Sequence, residues 1–210
     1  MFGNVPLSTD FTDTETKPNS TRSEVYNFVK SELDAVIPLL SDKKDATTYG
    51  RMNKWAALAV RMQLQLNAEV YTGTAQWAGA KADADEIINS GLYSLEAVYS
   101  DNFKEQNEGS SENIFVIPYD EVFATGFNWV AMTLHYASQN TFNLTFQPWN
   151  GYATVEEFYN SYVDPSTNPG PQGDVIKGKG AATGTLDSRL SNFLVGSQGT
   201  DDSAGGEDGD

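Results

Sequence analysis

Residues 51–73, RMNKWAALAVRMQLQLNAEVYTG, constrain the fold more than any other part of the chain. Asn53 reads as an N-cap, and Trp55, Ala59, Met62, Leu66 and Val70 recur at helical spacing, which predicts one helix of about 19 residues, roughly 28 Å long. Ala56, Ala57 and Ala68 thin its flanks, and Gln63, Gln65 and Asn67 stand where a solvated face would carry charge. Small residues let a neighbouring backbone come close, and amides suit a crowded interface better than unpaired charges. The stretch is therefore read as packed scaffold.

A second helix is expected after the turn at 71–73, because Trp77, Ala80, Ala84, Ile87 and Ile88 share a side and Gly91 stands as a C′ glycine. Two helices with so short a link lie antiparallel, and W-x-x-L-A-x-x-M at 55–62 resembles a tetratricopeptide hairpin. An earlier helix starts at a capping box, Thr21 with Glu24, and carries Val25, Phe28, Val29, Leu33, Val36, Ile37 and Leu40, with Pro38 loosening its last turn. Residues 3–20 read as extended lead-in and 41–50 as a polar connection. SSENIFVIPYD, at 110–120, reads as a short strand, and VEEFYNSYV, from 155, as a short helix. The fold class is mainly α: tetratricopeptide-like helical hairpins with a loop-rich aromatic region and little β. A single domain is expected over 1–195, followed by an acidic, Gly-rich and mobile tail at 196–210.

Charge narrows the partners. With 29 acidic against 13 basic residues and a net charge of −16, a surface tracking phosphates or anionic lipid would work against the overall field. Nucleic acid is not an expected partner. No run approaches the roughly 18 apolar residues of a spanning helix, so the chain reads as soluble. It contains no Cys and one histidine, His135, so a triad or a zinc site would have to rest on that residue alone, and no metal or cofactor is expected. Glu156 with Glu157, Asp83 with Asp85, and Asp101 supply carboxylates for a glycosidase, but adjacent acids on a helix point apart and no pair is singled out. The DDSAGGEDGD tail does not follow the calcium-loop pattern and is read as a solvated acidic tail.

The order of these segments closely resembles the middle of the SusD/RagB family. GNVPLSTDF, SEVYNFVKSELDAVIPLL, YGRMNKWAALAVRMQLQLNAEVYTG, WAGAKADADEIINSGLYSLEAVYSDNF and SENIFVIPYD follow one another at family-like distances over roughly residues 3–120, with looser agreement through PWNGY and Asp187–Arg189. The resemblance implies a surface-exposed, lipid-anchored, glycan-capturing protein of the Bacteroidota, present here in part. Such a protein is not an enzyme. It sits at the outer-membrane surface on a SusC-like TonB-dependent transporter, held by a lipid anchor that this sequence lacks.

The aromatic stretch 128–152, NWVAMTLHYASQNTFNLTFQPWNGY, has the composition that sugar recognition needs: flat rings for C–H faces and amides for hydroxyls. The candidate glycan-binding residues are Trp149, Tyr152, Trp129, Tyr136, Asn150, Asn128 and Gln147. Trp149 leads them, because the turn at Asn150-Gly151 can hold its ring outward. Trp55 and Trp77, on apolar stripes, are expected in the core. The function expected is non-catalytic capture of an oligosaccharide. The alternatives are a helical-hairpin module that binds protein and, less favoured, a glycoside hydrolase.

Overall fold

The computed structural model describes residues 3–120, 122–126, 129–136, 138–162, 189, 193, 199–201 and 206–207. The chain divides into two compact units, 1–118 and 119–210.

In the first unit the lead-in is tied to the first helix by a single bridge, Ser20 N–H donating to the Val5 carbonyl at 2.9 Å. Helix α1 spans Arg22–Val36 and opens on the expected capping box: Glu24 N–H donates to the Thr21 hydroxyl, and Thr21 N–H donates to the Glu24 carboxylate. Pro38 falls in a 3-10 turn, Ile37–Leu39, that ends it. Helix α2 spans Lys54–Leu66, with Asn53 Oδ1 accepting from Ala56 N–H at 2.9 Å. The single long helix expected here is broken at Asn67, beyond which α3 covers only Ala68–Thr72. The Asn67 amide donates to the Gln63 carbonyl, a side-chain bond that competes with continuation of the helix. Helix α4 spans Trp77–Asn89, and Gly91, at φ +66°, stands just past its end as expected.

Contacts set the directions. Lys54 pairs with Glu86, Arg61 with Asp83, and a Cβ built on Gly79 would meet Gln65, so α2 and α4 run antiparallel. Arg61 also reaches Asp34 on α1, and Ser23 donates to the Tyr71 carbonyl, so α1 and α2 with its extension α3 are antiparallel too. Helix α2 is thus the middle member of three. Wedged between neighbours, it buries Trp55, Ala56, Ala57, Leu58, Leu64 and Gln65, and Leu58 is fully enclosed. The expected stripe is corrected: Met62 is half-buried, Leu66 and Val70 are exposed, and the alanines assigned to the flanks form the packed face.

Two apolar clusters lie along this axis. Ile37, Trp55, Ala57, Leu58 and Ile87 form one, and Tyr26, Leu64 and Ala68 the other. Trp55 is in the core as expected and donates its indole N–H to the Asp42 carbonyl at 2.7 Å. Trp77 is not in the core: its surface is 60% exposed. The register that sets 61 against 83 and 65 against 79 puts residue 77 opposite residue 67, where α2 has ended and the chain turns into α3, whose Val70 and Tyr71 lie against α1.

Gly79 marks the closest approach of α2 and α4. A Cβ there would lie 1.9 Å from Gln65 Oε1, and the Gln65 amide is held by Asp83 at 2.6 Å. Gly79→Ala gains about 1 kcal/mol of helix propensity but forces an overpacked contact costing about 1–3 kcal/mol. We expect a net loss of stability in urea unfolding; a midpoint that rises would mean that Gln65 swings clear at no cost.

Asp34 bridges Lys30 and Arg61 at 2.6 and 3.0 Å. Burial pushes its carboxyl up, but the two cationic partners outweigh burial and hold it below the usual carboxylate range. A depressed folded-state value means stability that is full above the ordinary value near 3.9 and is lost as pH falls through the folded value. Asp34→Asn should therefore flatten the acid side of a stability-against-pH curve below about pH 4. Equal slopes in the two proteins would sink this assignment.

The strand expected at 110–120 is absent: residues 113–118 run without a ladder partner. Ile114 instead packs on the core of the helices, Pro118 has no N–H to offer, and among the described residues of the first unit no neighbouring strand stands ready to pair.

In the second unit α5 spans Trp129–Thr133, α6 Ser138–Thr141 and α7 Glu156–Asn160, the last within the short helix expected from 155. Phe158, Tyr159 and Tyr162 gather their rings around Phe193 at 5.7–6.0 Å. The loop-like stretch 164–184 lies outside the described residues, as does most of the expected tail. Of that tail, β1 (Gly199–Asp201) and β2 (Gly206–Glu207) form an antiparallel pair. Among the described residues, no helix is long and apolar enough to cross a membrane.

Candidate functional site

The aromatic region is built on a strap. Residues 149–152 lie along α5 and the turn after it, with Trp149 N–H donating to the Ala131 carbonyl, Asn150 N–H to Leu134, and the N–H groups of Gly151 and Tyr152 to Met132. Pro148 is buried and anchors the strap, while Asn150 adopts φ +51°, a left-handed conformation that asparagine tolerates better than most residues. A Cβ on Gly151 would come within 3.2 Å of the Met132 carbonyl, so the strap can press this close only with glycine there. Because backbone bonds hold the strap down, its side chains are left to face outward.

Trp149 is 58% exposed and Trp129 63%, and the Trp129 and Tyr152 rings stack with centroids 6.0 Å apart and planes 28° from parallel. The structure therefore brings Trp129, from α5, together with Tyr152, from the strap. Tyr136 is also exposed and lies against the His135 ring, centroids 4.0 Å apart. Gln147 and Asn150 are exposed on the strap beside Trp149, and Asn128 lies outside the described residues. Ala131, Met132 and Leu134, which the sequence did not single out, hold this arrangement through their carbonyls, and Gly151, expected in the turn, adds to it through its missing side chain. The Pro-Trp-Asn-Gly run carried the signal for the turn, but nothing local shows which carbonyls receive it.

The segment leading into this region is also pinned. Asp120 accepts from the N–H groups of Phe123 and Val122 at 2.5 and 2.7 Å, and the Phe123 bond first, then the Val122 bond, holds its carboxyl below the usual range. Gly126 lies so close to the Tyr119 ring that a Cβ would overlap it.

The carboxylates weighed for hydrolysis have other occupations. Asp83 is 4% exposed and takes a two-pronged bond from Arg61 at 2.6 and 2.9 Å; Asp85 pairs with Lys81 and Asp101 with Lys104. Glu156 and Glu157 occupy the first turn of α7, where the helix dipole favours them. Among the described residues, no group of three or more His, Asp or Glu side chains could hold a metal ion.

No family model matches the chain. The chain is 29% identical over 119 residues to the starch-binding protein SusD of Bacteroides thetaiotaomicron, a match that takes in 55% of this chain but 21% of that protein. The fold is similar to that of surface glycan-binding protein A from Bacteroides thetaiotaomicron, solved in complex with laminarihexaose, at 25% identity and a TM-score of 0.63 over 77% of this chain and 35% of that one. It is also similar to a SusD superfamily protein from Bacteroides fragilis at a TM-score of 0.60, over 92% of this chain and 47% of that one, where 20% identity speaks for the fold alone. The chain thus spans about a fifth of the length of the curated relative it matches.

Proposed function

We infer that the chain belongs to the SusD-like family and that it captures an oligosaccharide by non-catalytic binding, through the rings of Trp149, Trp129, Tyr152 and Tyr136 and the polar side chains of Asn150 and Gln147, with Asn128 a further candidate. One observation carries this reading: large rings stand exposed on and beside a strap whose four backbone N–H groups are all bound by carbonyls of α5 and the turn after it. Exposed rings give C–H faces a place to lie, and a preorganised backbone lowers the entropy lost when they do. The relatives support the same class of ligand, since one is a starch-binding protein and another was solved with laminarihexaose. Neither name describes a catalyst.

Import follows as part of the proposal. The bound glycan is handed to a SusC-like TonB-dependent transporter, and the whole protein stands at the cell-surface face of the outer membrane on a lipid anchor. An open surface of this kind recovers about 4–8 kcal/mol, which puts affinity between micromolar and millimolar. The test is affinity gel electrophoresis and calorimetry of the chain against soluble starch and laminarihexaose. Measurable binding with no release of reducing ends is the expected result; release on long incubation would replace capture with hydrolysis.

A second reading, a helical-hairpin module that binds protein, is favoured by one feature of the first unit. An apolar groove of about 630 Å³ lies between the lead-in, α1 and α3, lined by Val5, Val25, Val29, Val70 and Tyr71. The two readings separate by where damage falls, because alanine at Trp149 and Tyr136 would leave such a groove intact.

A further inference from the structure

A second cleft lies wholly in the first unit, between the 44–51 loop and the 108–116 segment, with a volume of about 60 Å³. The two segments that form it are locked. On one side Asp45 accepts from Thr47 N–H, and the Thr48 hydroxyl donates to the carbonyls of Lys43 and Asp45, so the loop is closed on itself. Gly50 ends that turn at φ +68° against Pro118, a conformation and a fit that a side chain would disturb. On the other side Ser111 donates to Glu96, Ser110 to the Asn102 side chain, and Asn102 to Glu112. Lys44 joins the two, its ammonium donating to the carbonyls of Ser111 and Leu92 while lying 4.2 Å over the Tyr93 ring.

The groups that line the cleft without such duties are Arg51, Glu108 and Asn113, whose side chains make no hydrogen bond or ion pair among the described residues, beside the half-exposed rings of Tyr49 and Phe115. Two cations, Lys44 and Arg51, and two carboxylates, Asp45 and Glu108, leave the lining without net charge, so it favours neither an anion nor a cation. What it offers is donors, acceptors, an amide that is both, and two rings. A cleft this small takes the hydroxyl edge of a sugar residue and leaves the rest of that residue outside.

We propose that this cleft is a second saccharide subsite, separate from the aromatic strap, which takes one residue of a neutral glycan chain. Arg51 donates to ring or hydroxyl oxygens, Glu108 accepts from hydroxyls, Asn113 does both, and Tyr49 and Phe115 flank the sugar. The assignment rests on the glycan-capture reading.

The test uses the full chain, calorimetry with laminarihexaose and affinity gels with soluble starch. The double substitution Arg51→Ala with Asn113→Ala removes two hydrogen-bonding partners and is expected to weaken binding about five- to tenfold with an unchanged unfolding midpoint. Added to Trp149→Ala, it should weaken binding further than Trp149→Ala alone. If the double variant is destabilised, Glu108→Gln, at an exposed position, takes its place and should still weaken binding. Affinity unchanged by these substitutions, in a protein that loses binding with Trp149→Ala, overturns the subsite and leaves capture standing. No binding of either probe by the unaltered chain overturns both.

Discussion

Trp149→Ala is expected to weaken binding of laminarihexaose and soluble starch by roughly 70-fold. The figure comes from the ring: covering about half of a tryptophan's ~200 Å² with a sugar face, at about 25 cal/mol per Å², contributes about 2.5 kcal/mol that alanine cannot recover. Stability should move little, because more than half of the Trp149 surface is exposed and substitutions at such positions change stability by about 0.5 kcal/mol. Trp77 supplies the control, since it is as exposed as Trp149 but stands on α4 in the helical unit. Trp77→Ala should leave affinity as it was. Equal loss from both substitutions would point to a general effect of removing surface aromatics, and no loss from Trp149→Ala would remove the strap from the site. Trp129→Ala should also weaken binding, because it takes away the partner on which the Tyr152 ring is stacked.

The largest effect on stability is expected from Asp83→Ala. Asp83 receives Arg61 through two bonds and the Gln65 amide through a third, all within the α2–α4 contact. Removing one partner of a buried pair leaves the other charge uncompensated, at a cost of about 3–5 kcal/mol. That is a large part of the 5–15 kcal/mol that a domain has in total. Asp34 retains a hold on Arg61 and keeps the loss toward the lower end. Leu58→Ala offers a comparison without charge, at about 2–5 kcal/mol for a fully enclosed side chain. Urea unfolding at constant slope measures both. A loss below about 1 kcal/mol for Asp83→Ala would mean that the clusters on either side of Arg61 hold the helices unaided.

What the sequence by itself determined is local. The capping box at Thr21 and Glu24, the cap at Asn53, the turn after Pro38 and the glycine at 91 each depend on atoms within a few residues, so their chemistry can be read in order along the chain. The rings of 128–152 could be picked out for the same reason, because Pro-Trp-Asn-Gly sets its own turn. The tertiary structure alone decided which faces are covered. Trp55 and Trp77 carry the same local signature, yet one is buried and the other exposed, because α2 ends at Leu66 and the chain beyond it turns to pack on α1. The alanines of α2 became its packed face because α1 and α4 approach from both sides, and Asp83 became a structural ion rather than a free acid because Arg61 lies across the contact. Arg51, Glu108 and Asn113 share a cleft although more than 50 residues separate the first from the others, and no periodicity links them. Burial depends on the arrival of partners distant in sequence, and a pattern on one helix cannot say where its neighbour ends.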